Sequence, residues 1–410
     1  MNPPNLSPRR KTMRRILDYM VIHKEVSRST LAEALSLSAA TVTNLTAELL
    51  EKQLLVEGRQ TQAAVGRKTT YLKFNGDLQY ILTLSFEKRE DTSPPTERSL
   101  GLSVCNLLGD VLSSASFDCD LVVTDTRSAV HVLQTLIGII RQMLDWQPDA
   151  IREKIAAIGV CFNGLINADH TLSLSLYNWN NLNLAAPLQA ALGIPVYVDG
   201  ITHIKALYEM RFLDPAEQNV LYLNLSTGIG MAHISEGKLL VGRHGLAGEV
   251  GHISLNLFGP PCYCGNRGCF EQYCGAYSLL EQASALLTEE HSQDVFYQLA
   301  QTQPLTPQLL IQAWKQGSLL ISELLRKAAV YLGAALTTLC NIYDPDRIII
   351  ASYLGDGDDA LIDLAKMEAK SRIVNTFGRE LIISRDHLDQ TQLHRATCAF
   401  VLSHHMDLLY

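Results

Sequence analysis

Apolar residues recur at helical spacing from Lys11 to His23, where Met13, Ile16, Leu17 and Met20 share a face and Arg14 and Arg15 lie on others. An amphipathic first helix is predicted there. The polar stretch HKEVS reads as a break. Beyond it Ser27 or Thr30 can cap a short second helix with Leu31, Ala34 and Leu35 as its apolar stripe, Thr30 and Glu33 having the capping-box spacing. Ser36-Leu37-Ser38 makes a tight turn, and Ser38 can cap a third helix that points Val42, Leu45, Leu49 and Leu50 inward. Ala40, Thr41, Thr43 and Asn44 are left near its exposed N-terminal end, and small or polar side chains there suit a major groove. The next segment, LLVEGRQTQAAVGRKTTYLKF, reads as two short strands around a polar loop, with Gly66-Arg67-Lys68 near the tip.

Beyond Asp77 the pattern changes to strands alternating with longer helices. YILTLSF, SLGLSVCNL, KIAAIGVCF, NVLYLNL, MAHIS and RIIIAS read as strands, with helices over Val130–Trp146 and Ser322–Asn341. An α/β architecture follows. Thr92-Ser93-Pro94-Pro95-Thr96 reads as an exposed loop, and no repeat of short period stands out.

The charge sharpens this division. The chain has 410 residues, is 47% hydrophobic and carries a formal charge of −8. Residues 1–75 hold 12 Lys/Arg against 6 Asp/Glu, so the other 335 hold 22 against 36. A basic head thus sits on an acidic body. Only the head is suited to a polyanion, through counterion release. No apolar run approaches the roughly 18 to 20 residues of a membrane span, and MNPPNLSPRRKTMRR lacks the apolar stretch of a signal peptide, so a cytoplasmic protein is expected.

Four of the nine cysteines crowd between Cys262 and Cys274. His252, Cys262, Cys264 and Cys269 give the spacing H-x9-C-x-C-x4-C, three thiolates and an imidazole suited to a closed, structural tetrahedral zinc site. Gly265 and Gly268 let the backbone turn tightly enough for three sulfurs to converge. Cys274 remains an alternative ligand at this stage.

RSTLAEALSLSAATVTNLTAELLEKQLLVE followed by GRKTTYL resembles the winged helix-turn-helix at the front of ROK-family repressors (repressors, open reading frames, kinases). GLAGEVGHISLNLFGPPCYCGNRGCFEQYCG resembles the family signature, with its G-E-x-G-H and C-x-C-G-x-x-G-C-x-E elements. The resemblance extends over nearly the whole chain and implies an actin-like sugar-kinase fold, two α/β lobes around a cleft. It implies a DNA-binding head over 1–76, a first lobe over 77–198 to which a C-terminal helix in 389–410 returns, and a second lobe over 199–388 with the zinc loop. Glu249 and Glu271 match positions whose carboxylates accept hydrogen bonds from sugar hydroxyls, with His252 beside them. Thr227-Gly228-Ile229-Gly230 matches a phosphate-binding turn of kinase members. The expected DNA contacts are Ser38, Thr41, Thr43, Asn44, Arg67 and Lys68.

Two departures argue against phosphotransfer. Kinase members carry an Asn-Asp pair whose Asp is the general base, and GIPVYVDGITHIKALYE places Gly200 and Ile201 there; isoleucine cannot accept a proton. The first phosphate loop is replaced by SFEKREDTSPPTERSLG, without a glycine pair, and IIIASYLGDG departs from the pattern again. No catalytic residue is therefore expected. The reading is a regulator, expected to repress carbohydrate genes as a homodimer or homotetramer on a double-stranded operator. Its effector would be a sugar, a sugar phosphate, another small molecule or a protein such as a transporter subunit, or it would have none. The alternative is a sugar kinase with an appended DNA-binding head.

Overall fold

The structure is a computed structural model, and it describes residues 7–61, 69–88, 98–119, 121, 126–167, 171–174, 179–214, 216–226, 228–354, 359–374, 382–388 and 392–405. The head is built from α1 (Pro8–His23), β1 (Glu25–Ser27), α2 (Arg28–Ala34), α3 (Ala39–Glu51), β2 (Leu55–Thr61) and β3 (Thr69–Phe74). α1 begins ahead of the expected Lys11 because Ser7 caps it, its Oγ accepting from the Arg10 N–H, and Pro8 opens the first turn. Met13, Ile16, Leu17 and Met20 are its buried face.

HKEVS does separate the first two helices, and it also holds a strand that the sequence reading missed. Glu25–Ser27 pairs antiparallel with β3, Glu25 opposite Lys73, and the Glu25 carboxylate accepts the Arg59 N–H at 2.8 Å. A third strand in the head follows, in the order β1-β3-β2. Ser27, not Thr30, caps α2, accepting the Thr30 N–H at 3.1 Å; Leu31 alone is buried there, with Ala34 exposed. The turn into α3 puts Ser36 at φ +52°.

The body contains two sheets with a common plan. In the first, β4 (Tyr80–Lys88), β5 (Arg98–Asn106) and β6 (Val111–Asp118) form an antiparallel meander. β7 (Ile155–Phe162) and, after the small β8 (Leu165–Ile166), β9 (Thr171–Leu174), β10 (Trp179–Asn183) sheet, β11 (Val196–Gly200) add in parallel. In the second, β12 (Asn219–Leu225), β13 (Ile229–Ser235) and β14 (Lys238–Leu239) are the meander, and β15 (Arg347–Ser352) and β16 (Ile382–Arg385) the parallel pair. The repeat lies in strand order. It escapes a sequence search because a shared apolar pattern needs no shared identities.

Each sheet is covered on both faces, as parallel strands require. Leu82, Leu84, Ile158 and Val160 share a core with Val132, Leu136 and Ile140 of α4 (Thr126–Asp145), which the short α5 (Asp149–Arg152) follows, and with Leu188 of α6 (Ala185–Leu192). The opposite face, with Ile81, Ala157 and Cys161, shares a core with Ala396 and Val401 of the last helix of the described residues (Leu393–His405). A Cβ on Gly159 would lie 2.5 Å from a Val401 methyl, so this face admits the helix only without a side chain. In the second lobe, Leu221, Leu223, Ile348 and Ile350 pack with helices drawn from α8 (Glu271–Cys274), α9 (Ala276–Ala285), α10 (Val295–Ala300), α11 (Pro307–Lys315), α12 (Leu319–Tyr343) and α13 (Asp359–Lys370). The last helix is thus α14.

α7 (Ile201–Glu209) lies between the sheets, Ile204 in the first lobe's core and Ala206 in the apolar layer of Val220, Tyr222 and Ile349. It is fastened along its length. Lys205 pairs with Asp386 at 3.9 Å, and the fully buried Glu209 accepts from His387 N and Nδ1 at 2.8 and 2.7 Å. The head docks on the same region. Its Met13, Leu72 and Phe74 belong to one apolar cluster with Cys105, Ala157 and Phe400, and Arg14 donates to the Ser403 carbonyl at 2.5 Å. Burial lowers the pKa of Arg211, just past α7, against the opposing charge of Asp18 in α1.

Candidate functional site

The metal-ligand cluster is built on turns that only its own sequence permits. Met231 of β13 donates to Gly248 O at 2.8 Å, and a single helical turn over Val250–His252 then presents His252. Asn256 O lies only 1.7 Å from where a Cβ on Gly268 would sit, and Gly268 has φ +61°. Glycine is therefore obligatory there. The loop closes through Cys262 N–H to Asn266 O at 2.8 Å, Gly268 N–H to Pro260 O at 2.8 Å and the Asn266 side chain to His252 O at 3.1 Å.

These turns bring together the four expected side chains. Donor atoms of His252, Cys262, Cys264 and Cys269 all lie within 4.8 Å of one another. Cys264 Sγ is 3.7 Å from Cys269 Sγ, and His252 Nδ1 is 3.7 Å from Cys262 Sγ. With metal–sulfur bonds of about 2.3 Å, a tetrahedron has sulfur–sulfur edges of about 3.8 Å, so the cluster fits a tetrahedral thiophilic ion. Burial and the neighbouring thiols push Cys269 up to about 12. A nearby cation is what would hold it as thiolate. Cys274 is excluded from the group: its thiol is buried among apolar residues and donates to Ala328 O at 3.2 Å.

Beside the cluster, Glu271 opens α8, buried, with Oε2 accepting the Ile229 N–H at 2.9 Å. A Cβ on Gly228 would come within 2.9 Å of that oxygen, which accounts for the glycine. Thr227 lies outside the described residues. Tyr263, between two of the cysteines, has an exposed side chain whose hydroxyl lies 3.2 Å from His252 Nε2; desolvation around that hydroxyl and the negative charge of Glu271 raise its pKa. Sequence reasoning missed Tyr263. Its position between Cys262 and Cys264 is the only signal, and that slot accepts many residue types.

Glu249 keeps open contact with solvent, yet desolvation is the main influence raising its carboxyl, with Glu271 adding to the rise and His252 and His203 opposing it. Gly200 ends β11 and Ile201 opens α7, partly buried against the core shared by head and first lobe. No carboxylate stands at either position. Asp199, the nearest acid, is engaged: its Oδ1 accepts from the Gly200 N–H at 2.7 Å and from His203 Nδ1 at 2.9 Å. His203 was also missed, although an Asp and a His four residues apart across a strand-to-helix junction is a legible pattern.

In the head, Ser38 caps α3, accepting the Thr41 N–H at 3.1 Å, with the two hydroxyls 2.8 Å apart. Val42, Leu45, Thr46 and Leu49 are buried and Leu50 packs half-buried against the same core; Thr46 joins them unexpectedly, donating to Val42 O and accepting from Arg28 Nε at 3.0 Å. Ala40, Thr43, Asn44 and Ala47 are exposed as one stripe at i, i+3, i+4 and i+7. Thr43 turns its hydroxyl to Ala39 O at 2.8 Å. Arg67, Lys68 and Gly66, like the Thr92–Thr96 loop, lie outside the described residues. No helix of the described residues is long and apolar enough to cross a membrane.

The family described as ROK family matches residues 109–400. The xylose repressor of Bacillus subtilis is 24% identical over 397 residues, 96% of this chain and 95% of its own length. Among solved structures, a ROK family transcriptional regulator, homologue of an Escherichia coli MLC protein, superposes with a TM-score of 0.78 at 23% identity over 98% of both chains. A ROK family glucokinase from Streptomyces griseus, in complex with glucose and AMPPNP, covers 78% of this chain and 98% of its own at a TM-score of 0.63 and 20% identity.

Proposed function

This chain belongs to the ROK family, and from that premise we propose that it is a transcriptional repressor of carbohydrate uptake or metabolism genes, with a body that binds an effector and does not phosphorylate it. The carrying observation is the exposed α3 stripe of Ala40, Thr43, Asn44 and Ala47 on a capped helix in a basic head. The head, 1–76, acts as a winged helix-turn-helix. Ser38 and Thr41 position the helix, Thr43 and Asn44 reach base edges, and Arg67 and Lys68 in the wing meet phosphates. Copies of the chain pair as a homodimer or homotetramer, so that two heads read half-sites about one DNA turn apart.

The body comprises one lobe over 77–198, with α14 returned to it, and a second over 199–388. Glu249 and Glu271 accept hydrogen bonds from a sugar effector. His252 Nε2, on the side of the ring away from the thiols, adjoins them through Tyr263. Zinc is the ion assigned to His252, Cys262, Cys264 and Cys269; when bound it supplies charge neutralisation of the thiolates and a rigid loop. The absence of a carboxylate at Gly200 and Ile201, with Asp199 already engaged, favours regulation over phosphotransfer.

The test is footprinting of full-length, zinc-replete protein on DNA from its own genomic neighbourhood, with a scrambled duplex as control. A protected two-fold symmetric site, released by a sugar, is expected. Equal affinity for both duplexes, or robust sugar-dependent ATP consumption, would replace this reading with the kinase one.

A further inference from the structure

α13 covers the second lobe with a buried face of Leu361, Ile362, Ala365 and Ala369, and Gly333 of α12 leaves no room for a side chain against Glu368. A helix that only covers a core turns charged residues outward. Here the outermost line is Ala360, Leu364 and Met367, continued past the helix end by Ser371 and Val374, and it carries no charge. All five residues are exposed, Met367 by 68% and Val374 by 65%. The Val374 N–H donates to Asn341 Oδ1 at 3.3 Å, and the next residue of α12, Ile342, is exposed as well, so apolar surface continues at that end.

The line advances by four, three, four and three residues, the spacing of a and d positions in a heptad repeat, and such a seam is suited to another helix. With Leu364 at a and Met367 at d, Asp363 and Lys370 both fall on g, with opposite charges. Two identical helices packed antiparallel about a two-fold axis set a against d and g against g. Leu364 then meets Met367 of the second copy, Ala360 meets Ser371, and Asp363 meets Lys370, each contact being made twice. A parallel pair sets g against e instead, which brings Asp363 against Glu368 and repels. Lys370 has no partner among the described residues, and Asp363 is engaged by Lys366 at 3.4 Å in an exposed pair of the kind that is worth little and readily exchanged.

We propose that α13 is a contact between two copies of this chain, packed antiparallel about a two-fold axis midway between Leu364 and Met367. This rests on the reading that copies pair, and it assigns that pairing a surface. The seam supplies the apolar contact, and the two Asp363–Lys370 pairs beside it set the direction and register.

Sedimentation velocity of full-length zinc-replete protein over a concentration series tests this. Wild type should be a dimer or larger. Met367→Glu puts a charge into the seam and should weaken self-association at least tenfold. Zinc content and thermal midpoint should be retained, because the side chain is exposed. Lys370→Glu faces Asp363 with a like charge and should also weaken assembly, as should Asp363→Lys. The double variant Asp363→Lys/Lys370→Glu should recover most of the loss, which two independent surface changes would not produce. If wild type assembles and both Met367→Glu and Lys370→Glu assemble equally well, the inference fails and the pairing reading stands. A double variant weaker than either single one overturns the antiparallel register. Wild type that stays monomeric throughout, leaving the seam to a different protein, overturns both.

Discussion

Replacing Cys269 and Cys274 one at a time separates a metal ligand from a core thiol five residues away. Cys269 Sγ sits 3.7 Å from Cys264 Sγ at one edge of the cluster, whereas Cys274 donates to Ala328 O in an apolar layer. At free zinc 1,000 times above the dissociation constant, binding stabilises the fold by about 4 kcal/mol. Cys269→Ala forfeits that, and at about 2 to 4 °C per kcal/mol the midpoint should drop by about 8 to 16 °C. Cys274→Ala loses one buried sulfur and a weak hydrogen bond, a cost of about 1 to 2 kcal/mol with the ion retained. The assay is elemental analysis of protein purified without chelator, followed by thermal unfolding with and without EDTA. Wild type and Cys274→Ala should carry about one zinc per chain and lose stability on chelation; Cys269→Ala should carry none and be indifferent to EDTA. Metal-free wild type, or a Cys274→Ala variant that is empty while Cys269→Ala is loaded, would refute the ligand assignment.

On operator and scrambled duplexes, Asn44→Ala should cost about 1 to 3 kcal/mol of specific binding and shift base preference, while Ser38→Ala, which removes the cap, should cost the head about 1 kcal/mol of stability. Competition binding and thermal unfolding read the two effects separately. Gly159→Ala drives a methyl group toward Val401 and Thr397, at 2.5 and 2.9 Å, and should destabilise the first lobe by about 1 to 3 kcal/mol in denaturant titrations, weakening operator binding through the head's seat on α14. Burial holds the pKa of His405 below the ordinary value, with its Nδ1 3.3 Å from the Tyr197 hydroxyl. Its stabilising contribution is therefore present above about pH 6.5 and is lost as pH falls through the depressed value. Midpoints measured from pH 7.5 to 5 should fall less steeply for His405→Gln than for wild type.

The segments most legible in the sequence are those in which one face is buried continuously. Met13, Ile16, Leu17 and Met20, or the apolar run Val220–Leu223 of β12, leave little choice of element. The metal loop was equally readable, because thiolates at fixed spacing have few structural uses. Glu25–Ser27 was missed because a three-residue strand has no period, and only pairing with Lys73, Leu72 and Tyr71 makes it one. Ala34 entered the expected stripe by spacing alone, but a two-turn helix buries just the residue at its centre, Leu31. The pocket was read less completely than the metal site. Glu271 acquires its place through the Ile229 N–H that it accepts, 42 residues away in the chain, a relation that no local pattern encodes.

The hydrogen bond from Arg14 to Ser403 joins positions 389 residues apart. At about 5 to 20 residues per second, ribosomal synthesis separates the two by about 20 to 80 s. The head can close around its own Ile16, Leu31 and Leu49 early in that interval, but its seat does not exist until α14 has been made. A nascent chain thus holds a folded DNA reader before it holds the body that governs it. Prematurely terminated chains lacking α14 should retain that reader in an untethered state, occupying DNA without answering to any effector, so message integrity becomes part of how faithfully the regulator obeys its signal.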